Sequence, residues 1–421
     1  MARNEQEDNV RNHLKVLGAA WAVLTHAGLA GATTLEQAME MAASQHPQTR
    51  IANLRVQAAG GMADEQAAYA HNPVIAAEPQ RRALANGGHT NDYYLSLSQG
   101  IEIGGKRGYR REAAKTALEI ARAEAEVARQ QRMFDAAAAY VDFYYAERSL
   151  KLHQQVADMY RTIVAGMKRR SRVGENSRLD VNLTQAAYAS SLNALTLARQ
   201  AWNQRRAALA TAIGREVAMP LTPLPSIASW PRPPTDWTRA WTQRPDMRAI
   251  RLRQREAEMR MKEASARRIP DIELSAMVGR EAGDRLVKLG LSVPLPVLNA
   301  HQGAYRAAVA DQERARAELE WRRQRLQFEV ETALRDARET ARAARAVLDS
   351  SIIEDSRAAI RLARKAWEAG ELEPEDMVFR VRQAVNAIVS SLETLRLAWH
   401  ARIRLARAFG QPDLIIQGVK P

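Results

Sequence analysis

Residues 92–110 read DYYLSLSQGIEIGGKRGYR, and the fold turns on this stretch. In its first half Tyr93, Leu95, Leu97, Ile101 and Ile103 fall on one side of an extended chain. Asp92, Ser96, Ser98, Gly100 and Glu102 fall on the other. A period of two with one apolar and one polar face is the pattern of an amphipathic β-strand. Gly104-Gly105 interrupts it, and from Lys106 the chain reads as one long helix. A strand of about ten residues feeding directly into a long Ala/Arg/Glu-rich helix fits a membrane-spanning strand continued by a helix that leaves the bilayer.

Upstream, residues 73–81 (PVIAAEPQR) make a poor strand, because two prolines confine it to an edge or a rim. Asn86-Gly87-Gly88 then closes the first hairpin. Thr33-Thr34-Leu35-Glu36 has a capping-box spacing, and helical runs to about Ser44 and from about Gln48 to Tyr69 flank His46-Pro47. At the N-terminus Arg11, His13 and Lys15 precede an apolar run over 16–24, followed by small residues ending Ala30-Gly31-Ala32. That order of regions predicts a secretory signal peptide over 1–32. No other segment approaches a transmembrane helix, so insertion into a membrane falls to the strands.

Downstream, Lys106 to Arg172 contains no Pro and has Gly only at 108 and 166. At about 1.5 Å per residue it predicts a helix of roughly 100 Å, which must pack along other helices. Val173-Gly174-Glu175 is a tight turn, and Ser177 with Asp180 is a capping box opening a helix to Ile213-Gly214. Residues 215–234 hold Pro220, Pro223, Pro225, Pro231, Pro233 and Pro234 and read as a linker.

Beyond the linker the first half repeats. Pro245 restates Pro47, and Arg268-Ile269-Pro270 restates His71-Asn72-Pro73. Ile272, Leu274, Ala276 and Val278 alternate on one strand, Gly279 to Gly283 reads as the turn, and Val287 to Leu295 alternate on the next. A helix from about Ala304 to Ala369 follows. Arg110 and Arg306, Gly174 and Gly370, Asp180 and Asp376, and Gly214 and Gly410 are each 196 residues apart. This duplicated order predicts a first repeat over 33–214 with its hairpin at about 73–103. The second repeat spans 235–410 with its hairpin at about 270–296, and a tail covers 411–421.

Composition sets the exclusions. The 421 residues are 46% hydrophobic and only 5% aromatic, which favours extended helices with small-residue packing. There is no cysteine, so a disulfide framework, a thiolate metal site and a lipid-modified N-terminal cysteine are all ruled out. The net charge is +14, but the arginines alternate with glutamates along helical runs, as in Arg314, Arg316, Glu318, Glu320 and Arg322. That is a salt-bridged, solvated helix face and argues against a nucleic-acid partner. Histidines 46, 71, 89, 153, 301 and 400 show no helical pairing, no nucleophile–base pattern or phosphate loop is present, and no cofactor or enzymatic activity is expected.

Four strands per chain cannot close a barrel, and open edges in lipid leave backbone groups unsatisfied. Other copies must complete the sheet, and three copies of four strands give twelve. The expected fold is mainly α with membrane β: a long antiparallel α-helical barrel continuous with a transmembrane β-barrel.

From about Thr33 to Gly410 the sequence resembles the TolC-type outer membrane efflux family. Residues 101–107 (IEIGGKR) and 294–299 (PLPVLN) with Gly303 resemble the strand-to-helix junctions of its heavy-metal, cobalt-zinc-cadmium branch. The second motif is shared with drug-efflux relatives. At the junctions the matching residues are Gly104, Gly105, Lys106, Arg107, Pro296, Asn299 and Gly303. The resemblance implies a homotrimer in outer-membrane lipid, a periplasmic tunnel, a membrane-fusion adaptor and an inner-membrane pump of the resistance-nodulation-division type. It also implies adaptor-docking tips at Val173, Gly174 and Glu175 and at Ala369, Gly370, Glu371 and Leu372. Asp376, and with it Asp180, falls where relatives carry an acidic ring at the tunnel entrance. Local readings stand beside these roles: the glycines suit turns with positive φ, and both aspartates suit a first helical turn. The family's gate arginine has no match, since Leu372 occupies its position. Many relatives are lipoproteins, and this chain has no cysteine to modify. The expected function is a passive, gated efflux conduit for divalent heavy metals, with drug efflux or protein secretion as the alternative. A basic cytoplasmic coiled-coil scaffold is the rival from another class, and it needs neither the strands nor the leader.

Overall fold

The computed structural model describes residues 32–83, 85, 87–172, 177–216, 221–230 and 234–417. The expected signal peptide, up to residue 31, and the turn at 173–175 lie outside the described residues. The chain opens with α1 (Leu35–Gln45) and α2 (Pro47–Ala67), then β1 (Val74–Ala83) and β2 (His89–Ile101). Next come α3 (Lys106–Arg172), α4 (Arg178–Ile213), α5 (Thr238–Gln243) and α6 (Pro245–Ala266). β3 (Ile272–Glu281) and β4 (Asp284–Ser292) lead to α7 (Gln302–Asp349), α8 (Ile352–Glu368) and α9 (Pro374–Phe409). No described helix is long and apolar enough to cross a membrane.

Local chemistry explains most of these boundaries. The capping box at α1 is one residue later than expected: Thr34 Oγ1 accepts from Gln37 N at 3.1 Å and Gln37 Oε1 from Thr34 N at 3.0 Å. Thr33 instead forms a parallel bridge with Leu221. Pro47 and Pro245 each stand in the first turn of a helix, where a missing N–H costs nothing. α3 runs unbroken for 67 residues, roughly 100 Å.

The expected single helix from Ala304 to Ala369 is in fact two. It breaks at Ser350–Ser351, where Ser351 is left-handed at φ 48° and its hydroxyl binds Asp355 Oδ2 at 2.7 Å. Serine side chains offer the backbone an alternative partner, and serine pairs are a recognised cause of breaks. The equivalent positions of α3 are Gln154 and Gln155, which have no such competition.

The strands form one antiparallel sheet in the order β1-β2-β3-β4, so β1, with Pro79, is an edge as its prolines require. β1 is nevertheless paired along its whole length, from Val74 opposite Ser98 to Ala83 opposite His89. The second hairpin turn is shorter than expected. β3 continues through Gly279 to Glu281, and only Ala282 and Gly283, with φ of 50° and 99°, make a two-residue turn. Gly279 is small for packing: a Cβ there would lie 2.7 Å from Tyr94 Cδ1. β4 ends at Ser292, two residues before Pro294, so Val293 and Leu295 lie outside the strand.

The main core lies where α3, α4 and α9 converge, around Tyr140, Phe143, Ile163, Met377 and Trp399. Residues 221–230, the described middle of the proline-rich connection, pack against this core. Leu221, Ile227 and Trp230 are buried, and the Tyr140 hydroxyl lies 2.9 Å and 2.7 Å from the carbonyl oxygens of Thr33 and Thr222. Arg402 fixes the C-terminal segment by donating to the carbonyls of Ile415 (3.2 Å) and Gln417 (2.8 Å) while stacking on Trp230. Burial pulls the Arg402 pKa down to about 10.

Candidate functional site: sheet faces, junctions and helix tips

Cross-strand partners share a face, and successive residues alternate. The rows Ala77–Leu95–Val278–Val287 and Ile75–Leu97–Ala276–Leu289 therefore lie on one apolar face. Along β2 that face runs from Tyr93 to Ile101, about 27 Å at 3.4 Å per residue, close to the ~25 Å apolar band of an outer-membrane barrel. The opposite face carries Glu78, Asp92, Ser96, Ser98, Glu273, Ser275, Glu281 and Lys288. Among the described residues β1 and β4 each leave one edge without a partner strand. At the hairpin end of the polar face Arg82 bridges Asp92 (2.9 Å) and Glu281 (2.6 Å). Asp92, fully buried, also accepts from the Ala282 amide at 2.9 Å, which ties β2 to the other hairpin's turn.

The first strand-to-helix junction is locked. Gly104 and Gly105 have φ of 76° and 77°, and a Cβ on Gly104 would lie 2.9 Å from Ile269 Cδ1. These backbone values let the chain pass from β2 into α3 at little steric cost. Lys106 is buried, and its ammonium donates to Asp271 Oδ1 at 2.6 Å. The same carboxylate accepts from Ile103 N and faces His71 Nε2, each at 3.3 Å. Burial disfavours the charge on Asp271, but hydrogen bonds from Lys106 and His71 outweigh it and hold the carboxyl below its ordinary value. Arg107 donates to Ala67 O at 3.1 Å and stacks 4.0 Å above Tyr69. Arg110 makes a bidentate pair with Glu102 and donates to Gln66 O at 3.0 Å, closing the end of α2.

The second junction is looser. Asn299 Oδ1 accepts from His301 N at 2.9 Å, and His301 takes the left-handed cap position of α7. Nothing lies within 4 Å of a Cβ built on Gly303. Pro296 is exposed, and Leu298 is 99% exposed. The two motifs quoted from sequence thus differ: Gly104 to Arg107 is a packed hinge, and Pro296 to Gly303 is an open connection.

At the far end of α3, Arg170 donates to the carbonyl of Glu368 at 3.2 Å and stacks over Trp367. That contact places the ends of α3 and α8 side by side. Gly370, at φ 77°, closes α8 by donating to Trp367 O at 3.0 Å, and Glu371 N donates to Ala366 O at 2.8 Å. Ala369 is the helix cap, and Leu372 packs half-buried against the core. Glu371, Glu373, Glu375 and Asp376 surround this turn, and Asp376 is exposed in the first turn of α9. Asp180 is committed locally: its Oδ2 accepts from the Ser177 hydroxyl at 2.7 Å and the Ser177 amide at 3.2 Å. Val173, Gly174 and Glu175 are outside the described residues.

Midway along the helices Asp142 of α3 meets Arg205 Nη1 of α4 at 2.8 Å, and Arg396 Nη1 (2.7 Å) and His400 Nε2 (2.6 Å) of α9. Burial works against its ionisation, but hydrogen bonds from His400 and Arg396 prevail and depress the Asp142 pKa. Sequence reading missed Asp142, Asp271, the Glu102–Arg110 pair and the Trp367 contact. The partners of Asp142, Asp271 and Trp367 are far apart in the chain, and Glu102 and Arg110, eight residues apart, meet only because a strand turns into a helix between them. Among the described residues no group of three or more His, Asp or Glu is placed to hold a metal.

This geometry, a two-faced sheet at one end of long antiparallel helices, matches known proteins. The family model for outer membrane efflux protein matches residues 38–215 and 238–411. The chain belongs to that family. It is an outer-membrane efflux channel, with its strands in the membrane and its helices on the periplasmic side. The channel is 23% identical over 397 residues to the cobalt-zinc-cadmium resistance protein CzcC of Cupriavidus metallidurans, covering 91% of each chain. In fold it is similar to a membrane protein from Pseudomonas aeruginosa (TM-score 0.76, 20% identity, 89% of this chain and 92% of that one). It is also similar to the open state of the MtrE outer membrane channel of Neisseria gonorrhoeae (TM-score 0.74, 20% identity, 90% and 89%).

Proposed function

We propose that three copies of this chain close a twelve-stranded barrel continued by a helical tunnel, and that the conduit exports divalent heavy-metal cations of the cobalt, zinc and cadmium type. The observation that carries the assembly is the sheet itself. Its four strands end in two unpaired edges beside an apolar face, and lipid cannot satisfy those N–H and C=O groups. Other copies supply the missing partners. Similarity to CzcC along 91% of the chain supports the metal cargo, and so does the polar face, where five carboxylates (Glu78, Asp92, Glu273, Glu281 and Asp284) face Arg82 and Lys288. Such a wall favours cations.

In this reading the two helix turns meet a periplasmic adaptor and, through it, a proton-driven inner-membrane pump of the resistance-nodulation-division type. Asp376, exposed and free of side-chain partners among the described residues, supplies the ring of three carboxylates at the entrance. Asp180, held by Ser177, serves its helix first. The test joins two measurements. Unboiled outer-membrane extract must show a heat-sensitive band near three chain masses, and deletion must lower tolerance to cobalt, zinc or cadmium. Loss of tolerance to organic compounds with metal tolerance intact would reassign the cargo. A monomer only would refute the assembly.

A further inference from the structure

The charges of the sheet are segregated by face. Every carboxylate of the four strands lies on the polar face, and the apolar face carries Arg81, Arg280 and Arg285 with no acidic residue. All three arginines lie at the hairpin end, away from the helices. Arg280 and Arg285 are direct cross-strand partners, with Cβ atoms about 5 Å apart in such a pair. Like charges placed opposite each other destabilise a sheet unless something lies between or beside them. Arg280 donates only to the Gly283 carbonyl (3.3 Å), and none of the three has a carboxylate partner among the described residues.

Their height on the face is informative. The row Pro79–Tyr93–Arg280–Arg285 lies directly above the apolar row Ala77–Leu95–Val278–Val287. Tyr93 in the same row is an aromatic at the level of an interface girdle. The opposite end of this face has Gln99, Ile101 and Ile272, with no cation in the strands. The arginines are therefore on the lipid side of the wall, at the height of headgroups, and only at the outer-leaflet end.

We propose that Arg280 and Arg285, with Arg81 on the neighbouring edge, form a docking surface for a phosphorylated lipid of the outer leaflet, whose phosphates lie between the paired guanidinium groups. Planar forks suit phosphate oxygens, and an anion there turns a repulsive pair into a bridged one. This inference rests on the barrel reading, because only a closed barrel presents this face to lipid.

The test titrates the assembled protein, in neutral detergent, with bis-phosphorylated lipid A and reads bound lipid by native mass spectrometry. R280Q/R285Q should bind about thirtyfold more weakly, and either single variant about fivefold, from the typical contribution of one basic residue near an anionic surface. R280K/R285K, which keeps the charge but loses the forks, should bind between the unaltered chain and R280Q/R285Q, and K288Q, on the strand of Arg285 but the opposite face, should bind as the unaltered chain does. Lipid A stripped of phosphate should bind the unaltered chain no better than the double glutamine variant. Assembly of each variant is checked on an unboiled gel, and the singles decide if the double does not assemble. Equal binding by R280Q/R285Q, or an equal loss in K288Q, overturns the lipid assignment alone. An unaltered chain that does not insert and assemble overturns the barrel reading and this surface with it.

Discussion

Gly166 is the sharpest place to perturb the helical tip. Gly is a poor residue in a helix interior, and replacing it with Ala ordinarily gains about 1 kcal/mol. Here a Cβ on Gly166 would lie 2.7 Å from Cη2 of Trp367, a residue that is 5% exposed and whose ring is also stacked by Arg170. The ring is part of the buried main core, so it must shift bodily, and overpacking of this kind costs about 1–3 kcal/mol. G166A should therefore be net destabilising by roughly 0–2 kcal/mol despite the better propensity. Replacing the ring with a smaller group should reverse the sign. In a W367L background G166A should stabilise by up to about 1 kcal/mol. The assay is a double-mutant cycle on the detergent-solubilised protein, with thermal loss of helical circular dichroism as the signal. The same cycle on single-channel conductance should show more frequent open-level excursions in W367L, since the ends of α3 and α8 lose their lateral contact. If G166A stabilises both backgrounds equally, the close approach of Trp367 is not a constraint and the tip contact has no energetic role.

Further outcomes follow from other contacts. D271N weakens the acceptor of the buried Lys106 and should cost about 1–3 kcal/mol, visible as a lower dissociation temperature of the assembled band. G104A combines a φ of 76° with the Ile269 approach and should lose about 1–2 kcal/mol from backbone alone, with H-bonding at the junction reported by faster amide exchange near Ile103. The depressed Asp142 pKa means that its contribution to stability is complete above about pH 4 and is lost as pH falls from there through the depressed value. An acid titration of the melting temperature should show this step in the unaltered chain and a flatter curve in D142N. D376N should lower the cation-to-anion permeability ratio in planar bilayers without altering assembly; an unchanged reversal potential would remove Asp376 from the entrance.

Much of this was legible in the sequence because it is written in short periods. The two-residue alternation of β2 and the uninterrupted run of α3 each follow from neighbours within a few positions. The cap of α4 by Ser177 and Asp180 is equally local, since donor and acceptor are three residues apart. The same short range misled where a local signal had two outcomes. Gly279 resembled a turn residue and proved to be a site of close packing against Tyr94, while Ser350–Ser351 hid a helix break inside a good helical pattern.

The sequence by itself thus determined the two-faced strands, the long helices and the small-residue composition that lets helices pack closely. Tertiary structure alone decided which charges meet. Asp271 with Lys106, Asp142 with Arg396 and His400, and Gly166 with Trp367 are separated by more than 160 residues of chain. Only the antiparallel fold brings them within contact distance. It also decided that the acids of the sheet share one face and its outer arginines the other, since that depends on the register of each strand against the next. Register is a property of paired strands, and no single strand contains it.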